Sequence, residues 1–387
     1  MGQVVQEALV VVAHADRMAA RTAQRGVAHR QRIGSGCHVR CSCHSRTGYG
    51  RAWSERPATV RIRRLSPVLA TLDRVTQLPP RGTPPGCHEA YSTASGTMFQ
   101  GKIEDALHSE TLVNSRGRIN LIFTSPPFPL KRQKSYGNLT GDDYLSWLRD
   151  LAPRLAALLT PDGSIVIEIG NSWEPGRPVM STLPLRALLE FQASADLQLC
   201  QQFIAHNPSR LPGPAQWVNI ERSRVKDSYT HLWWLAKCDR PKADNRQVLV
   251  EYSQAMKDLL NRQDYNRGLR PSGHLIEGDT FLRNNGGAIP PNVLTHANTR
   301  SHDAYRTYCL RNGLSIHPAR MAPNIAEFFI RMLTEPDDLV FDPFAGSNTT
   351  GAVAEQLGRR WVSVEALSDY VKGSRGRFSA VEHSEAA

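Results

Sequence analysis

The sequence predicts an α/β protein in which helices cover both faces of a mainly parallel sheet. Short apolar runs of strand length alternate with longer stretches in which apolar residues recur at helical spacing. Two of these runs are followed at once by loops that proline and glycine set apart, at residues 124–128 and 342–350. Ligands of such sheets bind at the carboxyl ends of the strands, so these two loops are the predicted functional site.

The first half of the predicted sheet consists of two strands with a long helix between them. Residues 119–123 form one apolar run, and residues 164–169 form another after a turn at 161–163. Between the two runs, leucines at helical spacing predict an amphipathic helix: Leu145, Leu148, Leu151, Leu155, Leu158 and Leu159. Pro153 lies inside this stripe, and we expect it to kink the helix or to divide it in two.

The second half continues the alternation of strands and helices. In chain order it is predicted to contain a strand, a helix, a strand, a helix and a strand, at residues 230–236, 325–333, 339–341, 352–357 and 361–364. Pro336 and Gly358 follow the two helices and supply their stops. The apolar stripes of these elements are expected to form the core rather than a binding site.

The loop at 342–350 belongs to a unit of strand, tight loop, helix, strand and acid. Gly346 permits close backbone approach to a ligand, and Glu365 follows Asp342 at about the 20-residue spacing at which an acid accepts hydrogen bonds from ribose hydroxyls. Taken alone, a structural strand–helix turn without a ligand explains this loop equally well. A phosphate-binding NTPase loop fits less well, because no Gly-Lys-Ser or Gly-Lys-Thr ending is present.

The loop at 124–128 contains the tetrapeptide Ser125-Pro126-Pro127-Phe128. Two prolines cannot continue a sheet ladder, so the chain must leave the strand there. A Ser-Pro-Pro tripeptide by itself is typical of disordered segments. Here it ends an apolar strand and carries an aromatic side chain, which is a position typical of a functional site.

Three motifs together resemble a known family. The Ser-Pro-Pro-Phe tetrapeptide resembles the catalytic motif of the amino-group DNA methyltransferases in its cytosine-N4 form. Residues 342–350 resemble the S-adenosylmethionine motif of the same family. Residues 317–321, followed by a helix, resemble the segment that precedes the cofactor motif in the permuted beta group. The motifs occur in the order of that group, and the resemblance covers roughly residues 98–378.

The resemblance implies a Rossmann-like methyltransferase fold, with a seven-stranded, mainly parallel sheet that has one antiparallel strand. It implies the catalytic residues Ser125, Pro126, Pro127 and Phe128. It also implies S-adenosylmethionine as cofactor, held by Asp342, Phe344, Gly346, Ser347, Asn348, Thr349, Thr350 and Glu365. The chain departs from the family pattern twice: Asn348 replaces a second glycine, and Gly101-Lys102 replaces a Gly-Asp pair, which leaves the adenine contact open.

The chemistry of these residues supports the same assignment. The exocyclic amino group of cytosine is a poor nucleophile, so catalysis needs orientation and hydrogen bonds that draw the nitrogen toward tetrahedral geometry. The Ser125 hydroxyl and the Pro126 carbonyl can supply those bonds, and Phe128 can stack on a base extruded from the duplex. A carbon-5 methyltransferase would need a cysteine nucleophile, typically after a proline, and the chain contains no Pro-Cys dipeptide.

Two alternatives remain open from the sequence. The same fold could methylate adenine N6, but that group usually carries Asp or Asn where Ser125 stands. The protein could also be a non-catalytic nucleic-acid-binding protein with a decayed enzyme fold. The intact Ser125 and the intact loop at 342–350 argue against decay, and tight cofactor binding would exclude it. The expected partners are double-stranded DNA and, in a restriction–modification system, a cognate restriction endonuclease.

Residues 1–90 differ in composition from the predicted methyltransferase domain at 91–387. They contain 14 arginines, no lysine and 5 acidic residues, which gives +9 of the chain's net charge of +11. A disordered basic arm on the DNA backbone, a mitochondrial transit peptide, or a start codon chosen too early would each explain this. The abrupt change in lysine usage favours a true start near Met98. Within the domain, the loop-rich residues 205–315 are predicted to be a target-recognition insert.

The cysteines and the hydropathy indicate the cellular setting. Cys37, His38, Cys41, Cys43 and His44 match no standard zinc spacing, and we expect no metal site. Seven scattered cysteines, an odd number, suit a reduced cytoplasm better than a disulfide framework. No apolar stretch has membrane-spanning length, and residues 9–13 are too short for a secretory signal. The expected location is therefore cytoplasmic, with no membrane partner.

Overall fold

The computed structural model of the protein describes residues 86–128, 139–279, 282–296 and 303–378. The basic segment up to residue 85, with its cysteine and histidine cluster, lies outside these residues, so its predicted roles stay predictions. Among the described residues, no helix combines the length and the apolar character that crossing a membrane requires.

The described chain forms one large sheet and one small one. The large sheet has nine strands in the order β1-β2-β11-β10-β3-β4-β6-β5-β9. Its strands are β1 (His88–Ser92), β2 (Gly96–Gln100), β3 (Ile119–Thr124), β4 (Leu159–Gly170), β5 (Gln198–His206), β6 (Tyr229–Ala236), β9 (Val293–Thr295), β10 (Leu339–Asp342) and β11 (Arg360–Glu365). The small sheet pairs β7 (Gly268–Leu269) with β8 (Leu275–Ile276).

The strand directions confirm the predicted fold class. Five neighbouring strands, β2, β11, β10, β3 and β4, run parallel to one another. Strand β6 runs antiparallel to both β4 and β5, so the seven strands from β2 to β5 contain the one antiparallel strand that was expected. The sheet is larger than predicted because β1 pairs antiparallel at one edge and β9 pairs parallel at the other.

Helices cover both faces of the large sheet. They are α1 (Ile103–Ala106), α2 (Glu110–Asn114), α3 (Gly141–Ala156), α4 (Leu183–Ser194), α5 (Gln254–Arg262), α6 (Ala304–Arg311), α7 (Pro323–Leu333), α8 (Thr349–Gln356) and α9 (Ser368–Ser374). Helices α3 and α4 share one buried apolar cluster with Ile122 of β3. Helices α7 and α8 share the other with Leu121 and Phe123. Successive side chains of β3 therefore point to opposite faces of the sheet and pack in different apolar clusters, because side chains alternate along a strand.

Helix α3 differs from the prediction at Pro153. We expected this proline to kink or divide the helix, but a single helix runs through it to Ala156. Pro153 lies in the last turn, where its missing N–H removes only one hydrogen bond. Burial of Leu148, Leu151 and Leu155 against the sheet holds the turn in place.

Two predicted boundaries also need correction. The sheet begins at His88, so a boundary at residue 91 falls inside β1, and a chain starting at Met98 would lack β1 and the first two residues of β2. The segment 205–315 is not a single insert, because β6 within it occupies a central place in the sheet between β4 and β5. The sequence predicts a strand at 230–236 but not its neighbours in the sheet. The pairing of β6 with β4 and β5 is visible only in the folded chain. What lies outside the sheet is mainly residues 207–228 and 237–292.

Candidate active site

The two predicted loops meet at one edge of the sheet. Strands β3 and β10 are direct neighbours, with Val340 opposite Leu121, so their carboxyl ends lie side by side. A cavity of about 650 Å³ opens there. Six of the predicted site residues line it: Ser125, Pro126, Pro127, Phe128, Phe344 and Glu365. The structure thus brings the whole predicted catalytic set together with two residues of the predicted cofactor set.

The other six predicted cofactor residues do not line this cavity. Asp342 is one of them, and its buried carboxylate holds the two loops together. Its Oδ1 accepts hydrogen bonds from the Thr124 hydroxyl at 2.7 Å and from the Phe344 N–H at 3.1 Å, and its Oδ2 accepts one from the Thr350 hydroxyl at 2.7 Å. Burial raises the pKa of Asp342 to about 6. The side chain therefore braces the catalytic loop against the cofactor loop.

Asn348 has a structural role that explains why it can replace a glycine. Its φ of +53° lies in the left-handed region, which asparagine tolerates better than most residues. Its Oδ1 accepts hydrogen bonds from the Gly351 N–H at 3.1 Å and from the Ser363 hydroxyl at 2.8 Å. Its Nδ2 donates to the Tyr91 hydroxyl at 3.3 Å. Asn348 thus caps α8 and ties the loop to β11 and to the edge strand β1.

Ser347 and Thr349 are likewise buried away from the cavity. The Ser347 hydroxyl accepts a hydrogen bond from Arg377 Nη2 at 2.8 Å and lies 3.4 Å from the Thr349 hydroxyl. The Arg377 guanidinium also lies over the Tyr305 ring. Most polar side chains of this loop are therefore satisfied by the protein itself.

Glu365 lies on the cavity wall and also anchors the loop. Its Oε2 accepts the Gly346 N–H at 2.8 Å, and its Oε1 accepts the Leu367 N–H at 2.9 Å. Burial raises the pKa of Glu365 to about 7. Gly346 itself has a φ of +52°, and a Cβ there would lie 2.9 Å from His317 Nε2. Both the backbone conformation and the available space therefore require glycine.

A carboxylate that the sequence analysis did not select lies behind Ser125. The Ser125 side chain lies close enough to Glu168, near the carboxyl end of β4, to counter part of the rise in the pKa of that carboxyl group. The Thr230 hydroxyl of β6 donates to Glu168 Oε1 at 2.8 Å. Burial raises the pKa of Glu168 above the usual range of a glutamate. A serine backed by a partly buried carboxylate can accept a hydrogen bond from a substrate while donating its own proton inward.

Comparison with known proteins identifies the family. A family model described as DNA methylase, of the N6/N4 type, matches residues 119–375. The chain belongs to this N6/N4 DNA methylase family. It is 43% identical over 295 residues to the type II methyltransferase M.PvuII of Proteus hauseri, a match that covers 76% of this chain and 86% of that protein.

A solved structure and a more distant relative are also similar to this chain. A solved structure of PvuII DNA methyltransferase, described as cytosine-N4-specific, superimposes with a TM-score of 0.60 at 37% identity over 77% of this chain and 90% of that one. The type II methyltransferase M.BglII of Bacillus subtilis is 22% identical over 253 residues, which is 65% of this chain and 61% of that protein.

The cavity of this methylase also contains a tryptophan that the sequence analysis did not single out. Trp147 of α3 meets the Phe344 ring edge-on, with the ring centroids 5.6 Å apart. Its indole N–H donates to Glu104 Oε1 at 2.6 Å, and both residues line the cavity. Trp147 adjoins the leucine stripe, so helical spacing alone gave no signal that it faces a ligand site. Gly101 and Lys102, the departure noted above, also line the cavity.

The methylase places Phe128 against a glycine. A Cβ on Gly170, the last residue of β4, would lie 2.6 Å from Cε2 of the Phe128 ring. The ring therefore packs directly on the strand backbone at the cavity. A real side chain at position 170 would push the aromatic residue out of this place.

Proposed function

We propose that this methylase transfers a methyl group from S-adenosylmethionine to N4 of a cytosine within a specific duplex DNA sequence. The observation that carries the proposal is Ser125 at the cavity wall with Glu168 behind it. A serine at this place distinguishes the cytosine form of the motif from the adenine form. The similarity to a methyltransferase described as cytosine-N4-specific supports the same choice.

The residues around the cavity fit S-adenosylmethionine. The cavity has a volume of about 650 Å³, within the range of small-molecule sites. Phe344 and Trp147 form an aromatic corner suited to the face of an adenine ring. Glu365 offers a carboxylate on the opposite loop that can accept ribose hydroxyls. The bound cofactor supplies an electrophilic methyl group on a sulfonium ion, so no covalent enzyme intermediate is needed.

Ser125 orients and polarises the amino group of the target base. When its hydroxyl donates to Glu168, Ser125 keeps its lone pairs to accept an N–H from the base. The Pro126 carbonyl can accept the second N–H, and the two bonds draw the nitrogen toward tetrahedral geometry.

Glu168 can take up the proton that the amino group loses. A carboxylate whose pKa is raised by burial is a better proton acceptor than an ordinary glutamate. The hydrogen bond from Ser125 gives a direct route to it. Thr230 holds the Glu168 carboxylate from the neighbouring strand.

Phe128 stacks on the extruded cytosine, as its place on the cavity wall allows. The cofactor set divides in two. Phe344 and Glu365 contact the cofactor, whereas Asp342 and the polar residues 347–350 hold the loop in shape.

The remaining assignments follow from the activity. We propose that residues 207–228 and 237–292 share target recognition, that the protein works in the cytoplasm, and that it protects DNA from a cognate restriction endonuclease. The four described cysteines are free thiols, which suits a reducing compartment. We also propose that residues 1–85 are dispensable: a shortened chain beginning at Gly86 keeps β1 and should methylate DNA as the full chain does.

One experiment tests the central proposal. DNA from cells that express the protein is sequenced with a method that separates N4-methylcytosine from N6-methyladenine, and its digest is examined by mass spectrometry. N4-methylcytosine at one recognition sequence, absent from cells expressing the Ser125→Ala variant, is the expected result. Methyl groups on adenine alone would overturn the substrate assignment. Failure of the purified protein to bind S-adenosylmethionine would favour the non-catalytic alternative.

A further inference from the structure

The segment between β5 and β6, residues 207–228, stands at the same edge of the sheet as the cavity. Strand β6 is antiparallel to both β4 and β5, so β4 and β5 end at one edge, next to Ser125. We call residues 207–228 the edge lobe. The chain that follows β6 leaves from the opposite edge, where Lys237 Nζ donates to the Leu159 carbonyl at the start of β4.

The edge lobe is held in shape by its own hydrogen bonds. The Asn207 N–H donates to the Ser228 carbonyl at 2.7 Å and closes its base. The Asp227 N–H donates to the Gly213 carbonyl at 3.0 Å, which folds the lobe back on itself. Asn171, directly after β4, donates from Nδ2 to Asp227 Oδ1 at 2.9 Å. The lobe is therefore preorganised and fixed to the strand that carries Glu168.

The surface of the edge lobe combines exposed aliphatic side chains with cations. Leu211, Ile220 and Val225 are 84%, 69% and 86% exposed. The Asn219 side chain donates to the Pro212 carbonyl at 3.5 Å, which brings the stretches around Leu211 and Ile220 together. Its exposed basic residues are Arg222, Arg224 and Lys226, and its acidic residues are Glu221 and Asp227. Arg210 is half-buried and donates to the Tyr229 carbonyl.

This combination matches the chemistry of one partner. Cations suit phosphates, and aliphatic side chains suit the faces of unstacked bases, so both are satisfied by a DNA duplex that has been opened. A solvent-facing loop gains nothing from three aliphatic side chains so fully exposed. An interface with a second copy of this chain would not explain the basic excess, because two identical basic surfaces repel each other.

We propose that the edge lobe enters the duplex beside the target base and that Leu211, Ile220 and Val225 fill the space left by the extruded cytosine. This inference rests on the proposed function, because it assumes that the methylase acts on an extruded base in duplex DNA. It assigns to the lobe a mechanical role in opening the helix, in addition to the share in target recognition proposed above.

The test compares extrusion with chemistry. The combined variant Leu211→Ser, Ile220→Ser, Val225→Ser is compared with the parent and with Leu189→Ser. Leu189 is a matched control: it is 63% exposed but lies on α4, on a face of the sheet. Extrusion is followed on a duplex with the recognition sequence found by sequencing, by the fluorescence rise of pyrrolo-cytosine at the target position. Chemistry is followed in a single turnover, by transfer of a tritiated methyl group to the same duplex with ordinary cytosine at that position.

We expect the combined variant to extrude and methylate about tenfold more slowly than the parent, because helix opening then lacks its wedge, while Leu189→Ser matches the parent. On a duplex in which the target cytosine faces an abasic site, the base is already unpaired, and we expect the deficit to shrink to about threefold or less. The KM for S-adenosylmethionine should stay the same throughout.

Several outcomes would overturn the inference. One is a combined variant that extrudes the base as fast as the parent, and another is a loss of rate that persists on the abasic duplex. A third is a parent that sediments as a dimer while the combined variant sediments as a monomer. If the combined variant melts early, Val225→Ser alone serves, with a smaller expected deficit that the abasic duplex must still relieve. Failure of the parent to methylate cytosine would instead defeat the proposed function, so the two failures are distinguishable.

Discussion

The catalytic loop at residues 125–128 and the cofactor loop at 342–350 end neighbouring strands, yet they use their residues in opposite ways. All four residues of the catalytic loop line the cavity. In the cofactor loop Pro343 and Phe344 do so, while the polar side chains from Asp342 to Thr350 bond to the protein itself. Two equally clear motifs thus have different physical causes. The residues of the catalytic loop line the cavity, whereas most residues of the cofactor loop hold that loop in shape. Substitutions in the two loops should therefore fail differently.

Ser125→Ala should give the largest effect on catalysis, and it tests the catalytic loop, whose residues line the cavity. The variant loses the group that polarises the target amine, so we expect kcat to fall by about 10²–10³-fold, as when one oxyanion-hole donor is removed. The affinity for S-adenosylmethionine should hardly change, because Ser125 is assigned to the base and not to the cofactor. Single-turnover rates and calorimetry measure the two quantities. A rate equal to that of the parent would remove the catalytic role from this loop.

Glu168→Gln should be next in size, with kcat lower by about 10²-fold, as for the loss of a general base. In the parent, burial raises the pKa of Glu168, so kcat should fall as the pH drops through that pKa and the carboxylate becomes protonated. The variant should lose this acid limb, because glutamine does not titrate. Thr230→Val keeps the carboxylate and removes only one of its partners, so it is the matched control and should retain a pH-dependent rate. A Glu168→Gln profile that still shows the parental acid limb would contradict the assignment.

Glu365→Ala tests the acidic residue of the predicted cofactor set that lines the cavity. A hydrogen bond to a charged group contributes about 1.5–3 kcal/mol, so cofactor affinity should weaken by roughly 10–100-fold. Turnover at saturating cofactor should stay within a few-fold of the parent. Calorimetry on the folded variant gives the affinity. An unchanged dissociation constant would make Glu365 pure scaffold, like most of its loop, and would sharpen the contrast between the loops further.

Asp342→Asn tests the residues that hold the cofactor loop in shape, and the quantity that should change is the pH dependence of the free energy of unfolding. Burial raises the pKa of Asp342 to about 6 and that of Glu365 to about 7. The folded chain therefore binds more protons than the unfolded chain at mildly acidic pH, and its stability should fall as the pH rises from about 4 to about 7. The variant removes one of these two groups, so its stability should decline less over the same interval. Chemical denaturation at several pH values measures both slopes, and equal slopes would contradict the shifted pKa of Asp342.

The difference between the loops also separates what the sequence could predict from what it could not. Prolines that end an apolar strand and a glycine before a helix are local signals, so both loops were found. The fold class followed from the alternation of apolar periods. Glu168 was missed because it looks like a polar residue within an apolar run. Only the pairing of β4 with β3 and β6 places it behind Ser125 and beside Thr230.

The inward contacts of the cofactor loop were equally hidden. Asn348 reads as a departure from the family until the edge strand β1 is in place, because its partner Tyr91 lies 257 residues away in the chain. Trp147 was not singled out, because helical spacing shows which residues share a face but not which of them border a cavity. Contacts of this kind join residues that are far apart in the chain, so no local sequence pattern indicates them.

Tyr91→Phe should give the smallest effect and is the strictest test of the scaffold interpretation. Removing the hydroxyl leaves the buried Asn348 amide nitrogen without its 3.3 Å partner, whereas Ser374 keeps its hydrogen bond to the Val371 carbonyl. An unsatisfied buried donor costs about 1–3 kcal/mol, and we expect the low end here, with cofactor affinity weaker by about fivefold and kcat unchanged. In the Asn348→Gly background no amide remains to be stranded, and glycine accepts the left-handed backbone, so Tyr91→Phe should then have little further effect on affinity. Calorimetric affinities of the parent, both single variants and the double variant complete the cycle. If Tyr91→Phe weakens binding equally in both backgrounds, Tyr91 does not act through Asn348, and the loop does not owe its shape to the edge strand.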